Sequence, residues 1–158
     1  MRLTRHADLA MRVLMYLALT GDRRATIQNI ASAFGISRNH LMKVVHELAC
    51  AGYVDSARGA GGGIRLACPP AAIRVGEVIA DLEPDFGLVE CFRDGNCCVI
   101  TPACRLPAML QEALEAFMQV LGGYTLADLV TPANERDLAD RLHIRLVGSA
   151  RASRQPPN

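Results

Sequence analysis

Four of the six cysteines of this 158-residue chain fall in one short run, Cys91-Phe-Arg-Asp-Gly-Asn-Cys97-Cys98-Val-Ile-Thr-Pro-Ala-Cys104. Thiolates are soft ligands, and several of them on one irregular loop can hold a soft metal centre or report redox state. Gly95 and Asn96 mark a turn in the middle of the run. Thr101 suits a helix N-cap, and Pro102 suits the first helical position, where its missing N–H would be unpaired anyway. A long helix is therefore expected to open at Pro102, with Cys104 in its first turn. There the helix dipole and the free N–H groups favour a thiolate over a thiol. Five residues separate Cys91 from Cys97, and five separate Cys98 from Cys104. These gaps differ from the C-x₂-C knuckles of zinc ribbons and from the close run of bacterial ferredoxins. The residue chemistry thus points to a metal or redox site without naming the metal.

The two remaining cysteines stand apart. Cys50 ends a helical stretch beside Leu48 and is expected to be a small buried residue. Cys68 precedes two prolines and receives no role. A catalytic cysteine would need a partner base, yet all four histidines (His6, His40, His46 and His143) lie outside the cysteine run. No catalytic residue is assigned. The glycines from Gly59 to Gly63 do not form a phosphate-cradling loop either. That motif requires a helix to open next, whereas the strand-like Ile64-Arg65-Leu66 comes after them.

The elements that must position the cysteines can be read along the chain. At this length one domain, or one with an extension, buries about 68–70% of its unfolded surface, so it folds without covalent staples. The formal net charge is +1, but its distribution is uneven. Residues 1–66 carry nine basic against four acidic side chains, and residues 67–104 carry two against six. A basic module that meets a polyanion, followed by one that does not, is the expectation. No apolar leader precedes Asp8 and charges interrupt every membrane-length run, so a cytoplasmic protein without a membrane partner is expected.

Periodicity predicts a helix over residues 4–20, capped by Thr4 and ended by Gly21. A second helix runs from about Thr26 to Gly35. A third starts after Ser37 and continues to about Ala49, with Leu41, Val44, Val45 and Leu48 on one face. Two short helices joined by a tight glycine turn are a helix-turn-helix. A hairpin with the tip Arg58–Gly63 comes next and supplies a wing. Arg38, Asn39 and His40, with Lys43 a turn later, stand at the reading end of the third helix. Arg pairs with guanine and Asn with adenine there. Arg58 and Arg65 flank the wing tip and can reach phosphates or the minor groove.

After the joint at Pro69-Pro70, a short helix is expected over Ile73–Leu82, stopped by Pro84. The helix from Pro102 to Leu121 carries an apolar stripe through Leu106, Leu110, Ala113, Phe117 and Val120, which predicts dimerisation. A further helix over 134–147 and a disordered tail from Ser149 complete the reading. The fold class is mainly α with a small β-wing: a winged helix-turn-helix over residues 1–70, then a cysteine loop and dimerisation helix over 71–130. Residues 131–158 form a C-terminal extension.

Five pieces carry a family resemblance: Ser37-Arg-Asn-His-Leu-Met-Lys-Val-Val45, Arg58-Gly-Ala-Gly-Gly-Gly-Ile-Arg-Leu66, Leu82-Glu-Pro84, Cys98-Val-Ile-Thr-Pro-Ala-Cys-Arg-Leu106 and Tyr124-Thr-Leu-Ala-Asp-Leu129. In this order they resemble the bacterial iron–sulfur winged-helix repressors, over roughly residues 1–130. The resemblance implies a homodimer on double-stranded operator DNA with an iron–sulfur cluster, [4Fe-4S] or [2Fe-2S]. It matches Cys91 and Cys104 to the first and last cluster ligands and Cys98 to the middle one, with Cys97 in reserve. One branch of the family places a histidine three residues after the last cysteine, where this chain has Pro107. The nitric-oxide-sensing branch can instead take a fourth ligand from an aspartate on the partner's first helix, a position that Asp8 matches. On its own chemistry Asp8 is a first-turn acid that stabilises the helix N-terminus. The resemblance therefore implies a repressor that releases DNA when nitric oxide attacks the cluster. The alternatives are a regulator of the same fold that senses iron–sulfur status or thiol redox, and a winged-helix repressor with structural zinc.

Overall fold

The computed structural model of the chain describes residues 3–59 and 61–146. It is mainly helical with one two-stranded antiparallel sheet, as the sequence predicts. Helix α1 (Arg5–Thr20) is capped by Thr4, whose hydroxyl accepts the Ala7 N–H at 3.2 Å. It is apolar on more than one face, which lets it serve as the centre of the core. Ala10, Val13, Leu14 and Leu17 are fully buried.

Helix α2 (Ile27–Phe34) opens with a reciprocal capping box between Thr26 and Asn29 and ends at Gly35, which adopts the left-handed conformation. Helix α3 (Arg38–Cys50) begins after a three-residue turn, completing the helix-turn-helix. Ser37 occupies its N-cap position, but its side chain makes no capping bond. The wing pairs β1 (Val54–Ala57) with β2 (Gly63–Leu66), with Asp55 opposite Arg65 and Ala57 opposite Gly63. Ala25 extends this sheet by exchanging two 2.8 Å hydrogen bonds with Ile64. The approach needs glycine at 63. Its φ is +141°, and a Cβ there would lie 2.7 Å from the Ala25 carbonyl oxygen.

A short 3₁₀ turn at Pro70–Ala72 leads into α4 (Val75–Leu82). Ile73 is buried but precedes that helix. The long helix α5 (Leu106–Gly122) packs on α4, and α6 (Leu126–Leu129) returns to α1. Residues 73–75 and 124–126 are joined by backbone bonds from Leu126 to Ile73 and from Val75 to Tyr124, at 2.8 and 2.9 Å. Helix α7 (Glu135–Arg141) is shorter than the expected span, and Leu142 and Ile144 beyond it pack against the core that α1 and α3 build. The tail expected from Ser149 lies outside the described residues.

Two expectations need correction. The long helix begins at Leu106, not Pro102, and Thr101–Ala103 is a separate 3₁₀ turn. Proline explains this. A helix running on from Pro102 would need Pro107 to donate an N–H to the Ala103 carbonyl, and the proline ring would collide with that oxygen instead. Within the first turn of α5 the same proline is harmless. Cys104 therefore precedes the helix in extended backbone, and the first-turn stabilisation of its thiolate does not apply. Cys50 is exposed rather than buried, because it lies two residues, about 200° of helical rotation, beyond the core position of Leu48.

The α4–α5 contact depends on a small residue. A Cβ at Gly76 would lie 2.8 Å from the Gly122 backbone nitrogen and 3.0 Å from its Cα, with no flexible side chain to yield. Gly76→Ala is expected to destabilise the fold by about 1–3 kcal/mol, as overpacking of a tight contact does. Urea denaturation checks this, and an unchanged midpoint would show that the helices can separate at little cost.

Candidate DNA-binding surface and cysteine loop

Burial of Leu41, Val44, Val45 and Leu48 fixes the rotation of α3. The opposite side of its first two turns presents Arg38, Asn39, His40 and Lys43, all exposed. These residues thus form one polar surface at the N-terminal end of the second helix of the pair. That end is where such motifs meet base edges. Arg58 is exposed at the wing.

Arg65 is also exposed, but its Nε bonds the Asp55 carboxylate at 3.2 Å. Arg24, which spacing gave no reason to single out, is the centre of that arrangement. One of its guanidinium nitrogens donates to the backbone carbonyls of Asp55 and Gly63, at 3.2 and 3.1 Å, and the other reaches the Asp55 carboxylate at 2.7 Å. A single side chain therefore ties both wing strands to the turn before α2. Hydrogen bonds from Arg24, and then from Arg65, hold the Asp55 carboxyl below the usual carboxylate range. A lowered folded pKa means this support is complete above the ordinary carboxylate pKa and is lost as pH falls through the lowered one.

The cysteine loop lies between α4 and α5. A 3₁₀ turn at Glu90–Phe92 carries Cys91, and Gly95 turns the chain with φ +81°. Asn96 organises the stretch up to Thr101. Its side chain accepts the Cys98 N–H at 2.9 Å and donates to the Thr101 hydroxyl at 2.9 Å. The Cys97 N–H bonds Glu90 and its thiol turns back onto the Gly95 carbonyl at 3.3 Å. Cys98 is exposed, and Cys91 and Cys104 are half-buried. All six cysteines are free thiols.

Asp8 sits in the first turn of α1, where Arg12 grips both carboxylate oxygens at 2.8 and 3.2 Å. The structure does not bring Cys91, Cys98, Cys104 and Asp8 together. Among the described residues no three His, Cys, Asp or Glu side chains stand close enough to hold a metal ion. The donors nevertheless suit a soft iron centre in kind: three unpaired thiols on an accessible loop.

A second link was legible only as part of a motif. The Glu83 carboxylate accepts the Thr4 N–H at 2.7 Å and the Thr4 hydroxyl at 3.1 Å. It joins the start of the helix that carries Asp8 to the segment that leads into the cysteine loop. A cavity of about 620 Å³ lies there, lined by Thr4, Glu83, Phe86, Leu88, Arg93 and Leu110 among others.

Residues 3–132 match the family model Rrf2, described as an iron-dependent transcriptional regulator. The chain belongs to the Rrf2 family. It is 52% identical over 132 residues to the HTH-type transcriptional regulator NsrR of Geobacillus kaustophilus strain HTA426, covering 82% of this chain and 90% of that protein. Its identity to NsrR of Bacillus subtilis strain 168 is 46% over 147 residues, covering 92% of this chain and 99% of that one. Among solved structures, T. potens IscR superposes with a TM-score of 0.65 at 26% identity, over 86% of this chain and 90% of that chain. This Rrf2 protein is a DNA-binding transcriptional regulator and not an enzyme, consistent with the sequence reading and with relatives named as regulators. Among its described residues no helix is long and apolar enough to cross a membrane.

The wing tether gives a direct test. Arg24→Met is expected to raise amide exchange across residues 54–66 while leaving α1 protected. Wild-type wing protection should decline on acidification below the ordinary carboxylate range, and the variant should have lost most of that pH-dependent part. Equal wing exchange in both proteins would show that the strand pairing alone holds the hairpin.

Proposed function

We propose that this Rrf2 protein is a nitric-oxide-sensing repressor that binds operator DNA as a homodimer. The reading assigns base and phosphate contacts to Arg38, Asn39, His40, Lys43, Arg58 and Arg65. It assigns an iron–sulfur cluster, [4Fe-4S] or [2Fe-2S], to Cys91, Cys98 and Cys104, with Asp8 of the partner subunit as fourth ligand. The observation that carries it is an accessible loop of free thiols behind a winged helix, in a chain about half identical to proteins named NsrR.

Dimerisation is supported by α5, on which no residue is buried. Leu106, Met109 and Val120 are 50, 64 and 60% exposed, more apolar surface than a lone helix face usually leaves to water. Cys98 is preferred over Cys97 because the Cys97 thiol is turned onto a backbone carbonyl, whereas the Cys98 thiol makes no hydrogen bond. Arg12 has a definite task in this reading. It grips both oxygens of the Asp8 carboxylate and must release them when the aspartate becomes a ligand. When bound, the cluster supplies iron open to nitric oxide, more so with one oxygen ligand than with four thiolates. Glu83 and Thr4 then couple the loop to α1, and α1 to the packed face of α3. The pair of recognition helices must match successive major grooves to hold DNA. A cytoplasmic location follows from this role.

Anaerobically purified protein is expected to show a brown chromophore that bleaches with a stoichiometric nitric oxide donor, while operator affinity measured in parallel falls. A colourless zinc protein indifferent to nitric oxide would leave a plain winged-helix repressor. A chromophore that resists nitric oxide but changes with iron supply or thiol oxidation would favour a sensor of iron–sulfur status. Cys98→Ala is expected to abolish the chromophore and Cys97→Ala to retain it, as read by absorbance and iron content. The reverse pattern would move the middle ligand to Cys97.

A further inference from the structure

Helix α4 stands between the winged helix and the cysteine loop, and it packs chiefly on α1 and α5. Asp81, in its last turn, accepts the Tyr53 hydroxyl at 2.6 Å. Among the described residues no other side-chain hydrogen bond joins α4 to α3 or the wing. Glu83, two residues on, holds Thr4 instead. The end of α4 is therefore bonded to the winged helix on two sides, just before the chain leaves for Cys91.

Tyr53 sits at a junction of main-chain bonds. Gly52 ends the turn after α3 with φ +82°, and the Tyr53 N–H closes onto the Leu48 carbonyl of α3 at 2.9 Å. The Tyr53 carbonyl accepts the Ala67 N–H at 3.0 Å, immediately after β2. One residue thus holds the end of α3 with its nitrogen, the end of the wing with its oxygen, and α4 with its side chain. The ring is half-buried against the core, so it swings away only by giving up that packing. A phenylalanine would pack equally well, and the bond to Asp81 is what the hydroxyl adds. Burial, and then that bond, hold the hydroxyl well above its ordinary pKa. It remains a donor throughout the neutral range, and its short contact with a carboxylate is of the charge-assisted kind.

We propose that Tyr53 is a positioning residue that carries the state of the cysteine loop directly to the recognition helix and the wing, through its bond to Asp81. This route is shorter than the one through Glu83 and Thr4, which reaches α3 only by way of α1. The inference deepens the nitric-oxide-sensing reading and rests on it. When the segment after α4 moves, Asp81 draws Tyr53 with it, and the bonds to Leu48 and Ala67 shift α3 and the wing together.

The test uses full-length protein carrying its cluster and a duplex selected by the wild type from a random pool. Fluorescence anisotropy gives the affinity before and after a stoichiometric nitric oxide donor, with absorbance and iron content followed in parallel. In Tyr53→Phe the chromophore, iron content and bleaching are expected to match wild type. The fall in affinity caused by nitric oxide should shrink by about 2- to 30-fold, the range for residues that link two coupled sites. A merely structural role would weaken both states alike and leave that ratio unchanged. Asp81→Ala should shrink the ratio as Tyr53→Phe does, and the double variant should shrink it no further.

A wild-type ratio in Tyr53→Phe would overturn the proposal, and so would losses that add in the double variant. A Tyr53→Phe protein without chromophore would overturn it too, since Tyr53 would then act on the cluster itself. A wild type that keeps its affinity under nitric oxide removes the sensing reading and this inference with it. A responsive wild type beside an equally responsive Tyr53→Phe removes the inference alone.

Discussion

Burial of α1 is the constraint on which the rest of the structure depends. Its residues Leu9, Ala10, Val13, Leu14 and Leu17 are almost wholly withdrawn from water. Elements from both halves of the chain pack against this one helix: α3 and β2 of the winged helix, then α4 and α6. Burying the leucine and valine side chains among them contributes on the order of 1.5–3 kcal/mol each. No smaller contact in the fold competes with that, so the position of α1 decides where the recognition helix, the wing and the start of the cysteine segment can stand. The helix also carries a sensor candidate near its beginning, since Asp8 lies a turn after the Thr4 cap.

Polar contacts then refine what burial places. Arg24 pulls both wing strands onto the turn before α2, and Glu83 binds the first residue of the α1 cap. Each spans a long stretch of sequence and joins elements that would otherwise share only apolar contacts. They differ in consequence. The Arg24 cluster governs how rigidly the wing presents Arg58 and Arg65. The Glu83 contact lies between the proposed sensing loop and the DNA-binding module. A signal that moved the segment after α4 would act on α1 through it.

The cysteine loop is held by different means. Asn96 bonds to Cys98 and Thr101, while Glu90 bonds to Cys97, so local polar side chains shape a segment that contributes nothing to the core. A loop of this kind costs little to rearrange compared with α1, and its ligands are drawn from positions that the core leaves free. The unburied α5 has the same character. It leans on α4 through Gly76 and Gly122 and leaves Leu106, Met109 and Val120 exposed.

What the sequence determined by itself is everything that local spacing encodes. Apolar periodicity, the Thr4 cap, the glycines at 21 and 35 and the Arg58–Gly63 tip were enough to read α1, α2, α3 and the wing. The same periodicity showed that Arg38, Asn39, His40 and Lys43 would share an exposed face. Boundaries failed where two local signals competed. Thr101-Pro102 looked like a helix start, but Pro107 forbade the bonds that such a helix needs. Cys50 failed because two residues of helical rotation, about 200°, carry it from the core position of Leu48 to the exposed side. Only the tertiary structure decided the contacts between distant positions. Arg24 with Asp55, Glu83 with Thr4, and Leu142 and His143 beside α2 have no signature in spacing. Their partners lie tens of residues away, and nothing in a chain's local pattern records which distant surface it will meet.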